Sequence, residues 1–158
     1  MAAPTPTPRT TPTGFKMPDG FRSLVTFASN PSIQLWERQI KPPGIDGGEG
    51  IDTTTMHNVA WRTRQPRKLK TLDPSTFMAA YDPDVIPSLY GQINRQDTIT
   101  FTFPDGSTLC FFGFLQKFEP GELREGEFPD ATCTFVPTNQ DLTTGVEQAP
   151  VFTPAAGT

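Results

Sequence analysis

The residues of this chain that could do chemistry fall into three groups. The first is a single histidine, His57, within GGEGIDTTTMHN (47–58). A nucleophile triad needs a base held by packed neighbours, and a zinc site needs several His or Cys ligands at short spacing. A lone loop histidine offers neither. The adjoining DGGEG resembles a phosphate-cradling loop but lacks the Lys-Ser/Thr pair that would engage a phosphate, and no helical pattern follows it. The second group is acidic: Glu119, Glu122, Glu125, Glu127 and Asp130 surround Arg124 in EPGELREGEFPD. Paired carboxylates can carry acid–base chemistry, but a loop with two glycines lacks the rigid support such chemistry needs. A solvated acidic loop is expected. The third group is basic: Arg62, Arg64, Arg67, Lys68 and Lys70 beside Trp61. It reads as a nucleic-acid surface, as a charged strand edge that discourages pairing, or as half of an interface between copies. In the last reading, which is favoured, Glu122, Glu125 and Glu127 form the other half. No enzyme, metal or cofactor is expected.

The elements that position these groups are strands. The 158 residues include 18 prolines, 13 glycines and 13 phenylalanines, which favours one strand-rich domain with long connections and an aromatic core. RSLVTFAS (22–29) and SIQLWERQI (32–40) are strand candidates. In the second, Ile33 and Leu35 share one face, while Trp36 and Ile40 point the other way with Arg38. NVAWRTRQPRKLKTL (58–72) is strand-like but broken by Pro66. A short helix is expected near 84–91, with Asp84 as a cap and Pro87 in its first turn. DTITFTFPDGSTLCFFGFLQKF (97–118) reads as a hairpin turning at Pro104-Asp105-Gly106. Its first strand alternates Ile99, Phe101 and Phe103 with threonines. Its second is apolar on both faces, so it lies between two layers or is half covered by another subunit. ATCTFVP (131–137) is the last strand expected.

The division expected is a Pro/Thr-rich N-terminal arm (1–19), a β domain (20–137) and a polar C-terminal arm (138–158). Val151 and Phe152 are out of place in a solvated tail and could dock on something. Cys110 and Cys133 fall in separate strands and read as reduced thiols in a chain made in the cytoplasm. The opening residues have no apolar run typical of a secretory signal, and no stretch approaches the roughly 18 apolar residues of a membrane span. A net charge of −4 gives no global attraction for nucleic acid. The 47–58 loop has glycines for reach, and Ile51 and Met56 suited to inserting into a neighbour. Ordering it costs about 1–2 kcal/mol per residue of backbone entropy, which points to self-assembly.

GGEGIDTTTMHNVAWRTRQPRKLKTL, followed in order by AYDPD, ITFTFPDG and GFLQKFEPGELREGEFPDATCTFVPTN, resembles the major tail tube proteins of long, non-contractile-tailed bacteriophages. The resemblance covers most of residues 20–152. It implies a β-sandwich or barrel-like tail tube fold with one short helix, a long inter-strand loop and extended terminal arms. It also implies hexameric rings stacked into a tube within the virion tail, through which the genome is delivered without specific DNA binding. Expected partners are further copies of the chain, the tape measure, the tail terminator and a baseplate-proximal ring, with assembly in the host cytoplasm and no membrane anchor. Carried over to this sequence, contact roles fall on Ile51, Asp52, Thr53, Thr54, Thr55, Met56 and Asn58. Alternatives are a tube-terminating or baseplate-proximal ring of the same fold, and a sugar-binding module using Trp36, Trp61 or Tyr90, residues otherwise expected in the core.

Overall fold

The computed structural model describes residues 22–155; the Pro/Thr-rich segment lies outside them. Strands dominate: β1 (Leu24–Phe27), β2 (Glu37–Lys41), β3 (Ile45–Asp46), β4 (Ile51–Asp52), β5 (Arg64–Gln65), β6 (Thr71–Leu72) and β7 (Ser75–Ala80) precede helix α1 (Ile86–Gln92). β8 (Gln96–Thr102), β9 (Thr108–Pro120), β10 (Asp130–Pro137) and β11 (Val151–Thr153) follow it. One antiparallel sheet runs β1-β8-β9-β10-β7-β2, and β11 joins it by pairing with β9. β10 takes residues 113–120 of β9, and β11 continues along the same edge at 108–110. Val151 and Phe152 therefore dock on the hairpin, with the Phe152 ring tilted 6.4 Å from Phe103.

Alternation along each strand decides what the sheet encloses. Val25 and Phe27, Phe77 and Ala79, Ile99 and Phe101, Phe111 and Leu115, Cys133 and Phe135 all turn inward and are buried. The threonines between them turn outward, so the sheet curls around its aromatic side into a half-barrel. Phe135 is the hub, stacked on Phe77 at 5.1 Å and edge-on to Phe27 at 5.6 Å. The hairpin expected at Pro104-Asp105-Gly106 is present, its Phe103 N–H donating to Ser107 O at 2.8 Å. β9 is the strand that is apolar on both faces. Phe111 and Leu115 on its inner face are buried and Leu109 partly so, whereas Cys110, Phe112 and Phe114 on the outside are only half covered. Cys133 points inward and Cys110 outward, so the two free thiols are not neighbours; burial pushes the Cys133 thiol up to about 12.

Three expectations change. β7 carries Ser75, Phe77 and Ala79 on its buried face, although its alanines gave no strand signal; its place between β10 and β2 overrides local preference. The helix starts at Ile86 with Pro87 in its first turn and no side-chain cap. Asp84 is not the cap, its N–H being engaged by Asp82 Oδ1. In β2, a bulge between Glu37 and Gln39 resets the alternation. Ile33 and Leu35 pack on the core ahead of it and Ile40 does so after it, whereas Trp36 stays outside.

The two ends of the strand order, β1 and β2, face each other without a ladder. Across this seam the Val25 N–H donates to Glu37 Oε1 at 3.0 Å. Burial raises the Glu37 carboxyl above its ordinary value, partly offset by that bond. The end of β1 is secured differently. Asp97, buried at the start of β8, accepts from Ser29 Oγ (2.5 Å), Ser29 N (3.1 Å), Gln92 Nε2 (2.7 Å) and Thr98 N (2.8 Å). One carboxylate thus ties α1, β1 and β8 together. Asp97→Ala takes the acceptor from the Ser29 and Thr98 donors and leaves Gln92 Nε2 only its 3.0 Å bond to Ser29 Oγ, and each orphaned buried donor costs about 1–3 kcal/mol. The expected loss in a urea titration is about 3 kcal/mol, against less than about 0.5 kcal/mol for Glu125→Ala on an exposed loop.

Candidate functional site

The 47–58 segment is not an isolated loop. It forms one side of a two-stranded β-ribbon that leaves the sheet between β2 and β7. At its root Ile45 pairs with Leu72 and Asp46 with Thr71; further out Ile51 pairs with Gln65 and Asp52 with Arg64. The basic segment 62–70 is therefore the ribbon's other side, and Pro66 separates its two short stretches of pairing. The contact-loop candidates and the basic candidates, read as two features, form one structure.

The tip explains why its residues are small and polar. Asp52 Oδ1 accepts the Thr54 N–H at 2.9 Å, and Thr54's hydroxyl and N–H hold the Asp52 carboxyl below its ordinary range. Thr53 N donates to Thr63 O at 3.0 Å, and the hydroxyls of Thr53 and Thr63 lie 3.1 Å apart. Asn58 accepts from Thr55 N at 2.8 Å and donates to Trp61 O at 3.0 Å. Asp52, Thr53, Thr54, Thr55 and Asn58 thus build the tip itself, while Ile51 and Met56 are left facing outward. His57 is exposed there, and among the described residues no three His, Cys, Asp or Glu side chains converge as a metal site. No helix among them is long and apolar enough to cross a membrane.

Among the described residues the ribbon stands exposed along its length. From 44 to 71 only Asn58 is even partly covered. Ile45, Ile51, Met56, Val59, Trp61 and Leu69 are all exposed, Met56 and Val59 completely. A two-stranded hairpin is marginally stable alone in water, and exposed large apolar side chains grouped on one projection make it a candidate contact surface. Arg62, Arg64, Arg67 and Lys68 line the same ribbon. Arg64 faces Asp52 across the ladder and Arg67 Nε donates to Glu49 O at 2.9 Å, leaving Arg62 and Lys68 to project charge outward.

The acidic loop lies at the other end of the barrel. The ribbon leaves where Lys41 pairs with Thr76, and the 121–129 loop leaves where Asp130 pairs with Ala80. The two points are the ends of the stretch Thr76–Ala80 of β7, about 13 Å of extended chain apart. In this loop Glu122 pairs with Arg124, and on the strands beside it Lys117 pairs with Glu119 and Arg38 with Asp130. Glu125 and Glu127 are exposed, as are the large apolar Leu123 and Phe128. The loop's apolar residues gave no signal in the sequence, because two hydrophobics among charges carry no periodicity. Trp36, Trp61 and Tyr90 are exposed rather than in the core, each on a different element. Tyr90 rests edge-on against Phe118, 5.9 Å between ring centres.

This fold has a counterpart among solved structures. A chain in the cryo-EM structure of the anti-feeding prophage (AFP) baseplate, six-fold symmetrised, matches with a TM-score of 0.63 over 93% of this chain and 99% of that one. Sequence identity is 10%, so the likeness is one of fold. No protein-family profile and no curated protein matches the chain in sequence.

Leu72 at the root belongs to the core, but residues 48–69 contribute no buried side chain to it, so their removal is expected to be thermodynamically silent. Replacing residues 48–69 by a two-residue Asn-Gly turn should move the urea-unfolding free energy by less than about 0.5 kcal/mol and leave the circular dichroism of the sheet intact. Loss of the cooperative transition would place the ribbon in the folding unit instead.

Proposed function

We propose that this chain is a structural subunit of a phage-tail-type assembly, acting through repeated contacts between copies and not through catalysis. The observation that carries this reading is the exposed ribbon. It is a basic, apolar, preshaped projection at one end of a barrel whose opposite end presents an acidic loop with its own exposed apolar residues. Such a subunit is complementary to itself head to tail, the arrangement that generates rings or filaments. Arg62 and Lys68 of one copy meet Glu125 and Glu127 of the next, with Trp61 and Met56 against Leu123 and Phe128. The fold shared with a chain of a six-fold symmetrised baseplate fits this reading. Hexameric rings stacked into a tail tube are its finer form, following the resemblance to tail tube proteins. The tube's partners would then be the tape measure and terminator proteins, and an overall acidic chain suits a conduit that DNA must cross without sticking. A baseplate-proximal ring is the second reading, and the matched chain's own setting in a baseplate favours it.

Negative-stain electron microscopy, with light scattering over a concentration series, separates these forms. Hollow tubes support the tube reading and discrete rings the baseplate-proximal one; a monomer at every concentration removes self-assembly as the function of the free chain. The charge pairing has its own test. Arg62→Glu with Lys68→Glu should reduce assembly at least tenfold at low salt, and adding Glu125→Arg with Glu127→Arg should restore it. Failure of the second pair to rescue the first would break the proposed docking.

A further inference from the structure

The stem of the ribbon has two unlike faces. Ile51 pairs with Gln65, and the hydroxyls of Thr53 and Thr63 meet at 3.1 Å, so these four side chains share one face. It carries no charge. Asp52 pairs with Arg64 on the other face, and strand alternation puts Arg62 beside Arg64. Both faces are exposed. An uncharged side backed by a charged one is the pattern of a two-stranded element that lays one side on a surface and keeps the other in water.

The same chain carries a second uncharged face, on the outside of the curled sheet. β8 presents Thr98, Thr100 and Thr102 there, paired with Phe112, Cys110 and Thr108 of β9. β10 continues the face with Thr134 and Val136, and β7 with Thr76 and Met78. All of them are half-buried. Four strands make a surface about 15 Å across, wide enough for the two strands of a ribbon. Charge returns only at the end that carries the acidic loop, with Lys117, Glu119 and the Arg38–Asp130 pair. Charged side chains normally gather on a solvated face, and their depletion around aromatic and methionine side chains is the composition of an interface centre. Among the described residues no second sheet lies over this face.

We infer that the uncharged side of the ribbon packs on this sheet face of a neighbouring copy, Ile51 and Gln65 over Cys110 and Phe112, with the ribbon tip directed to that copy's acidic loop. The match of the two surfaces identifies the occupant. Each is built of threonine and large apolar side chains, so each covers the other without taking an ion out of water. Charge sets the direction. With the tip at the far end of the face, Arg62 approaches Glu125 and Glu127 of the neighbour, while Asp52 and Arg64 stay on the solvent side. The inference rests on the head-to-tail reading and adds to it the surface on which the stem of the ribbon is buried.

Cys110 lies within the face and serves as a native probe. Gln65→Cys puts a thiol on the uncharged side of the ribbon, and Arg64→Cys puts one on the charged side. Sheets packed face to face lie about 10 Å apart, a gap that a short bismaleimide spans. Under assembling conditions the reagent is expected to link the Gln65→Cys position to Cys110 of another copy, and not the Arg64→Cys position, as read by peptide mass mapping. Adding Cys110→Ser should remove the product. Equal linking of the two variants, or no linking in material that light scattering shows to be assembled, would overturn the inference and leave head-to-tail assembly standing. A chain that never assembles would remove both. Charging the face gives a second reading. Thr100→Glu should keep the circular dichroism of the sheet and lower assembly by about tenfold or more, whereas Thr143→Glu in the exposed 141–146 turn should leave assembly unchanged. Wild-type assembly in Thr100→Glu would also overturn the inference.

Discussion

The structure depends on the packing of phenylalanines from five strands against one another. Phe135 lies within 6.1 Å, centre to centre, of Phe27, Phe77 and Phe101, and Phe101 stacks on Phe111 in turn. Rings supplied by β1, β7, β8, β9 and β10 can meet at one point only if the sheet bends around them. The curl of the half-barrel follows from that requirement. A chain that is only 35% apolar can build such a core because each buried ring removes a large area from water.

This economy has a consequence for the rest of the molecule. With the aromatic residues committed to one side of one sheet, little remains to cover long connections. The ribbon and the acidic loop are stabilised by local hydrogen bonds and ladders rather than by the core, so they can present apolar and charged groups without destabilising the fold. The separation is physical. Asp97 and the phenylalanines hold the barrel, while Asp52, the threonines and Asn58 hold the ribbon tip. Substitutions in the first set act on the stability of the barrel, whereas those in the second act on the shape of the ribbon tip alone.

Residue type and spacing alone determined the hairpin at 104–106, the inward set of β8, the existence of a strand at β10, the scarcity of helix and the two clusters of opposite charge. These are local properties: period two, a turn that needs glycine at positive φ, and runs of like charge. The tertiary structure decided what was nonlocal. It made a strand of the alanine-rich β7, because pairing on both sides outweighs weak propensity. It reset the face of β2 through a bulge that no pattern marks. It folded the glycine-rich loop and the basic segment, separated in sequence, into one ribbon, and it put the acidic loop at the far end of the barrel from that ribbon. Charge and composition can be read from a sequence, but the direction in which each cluster points depends on strand order and register, which are settled only when the sheet curls around its core.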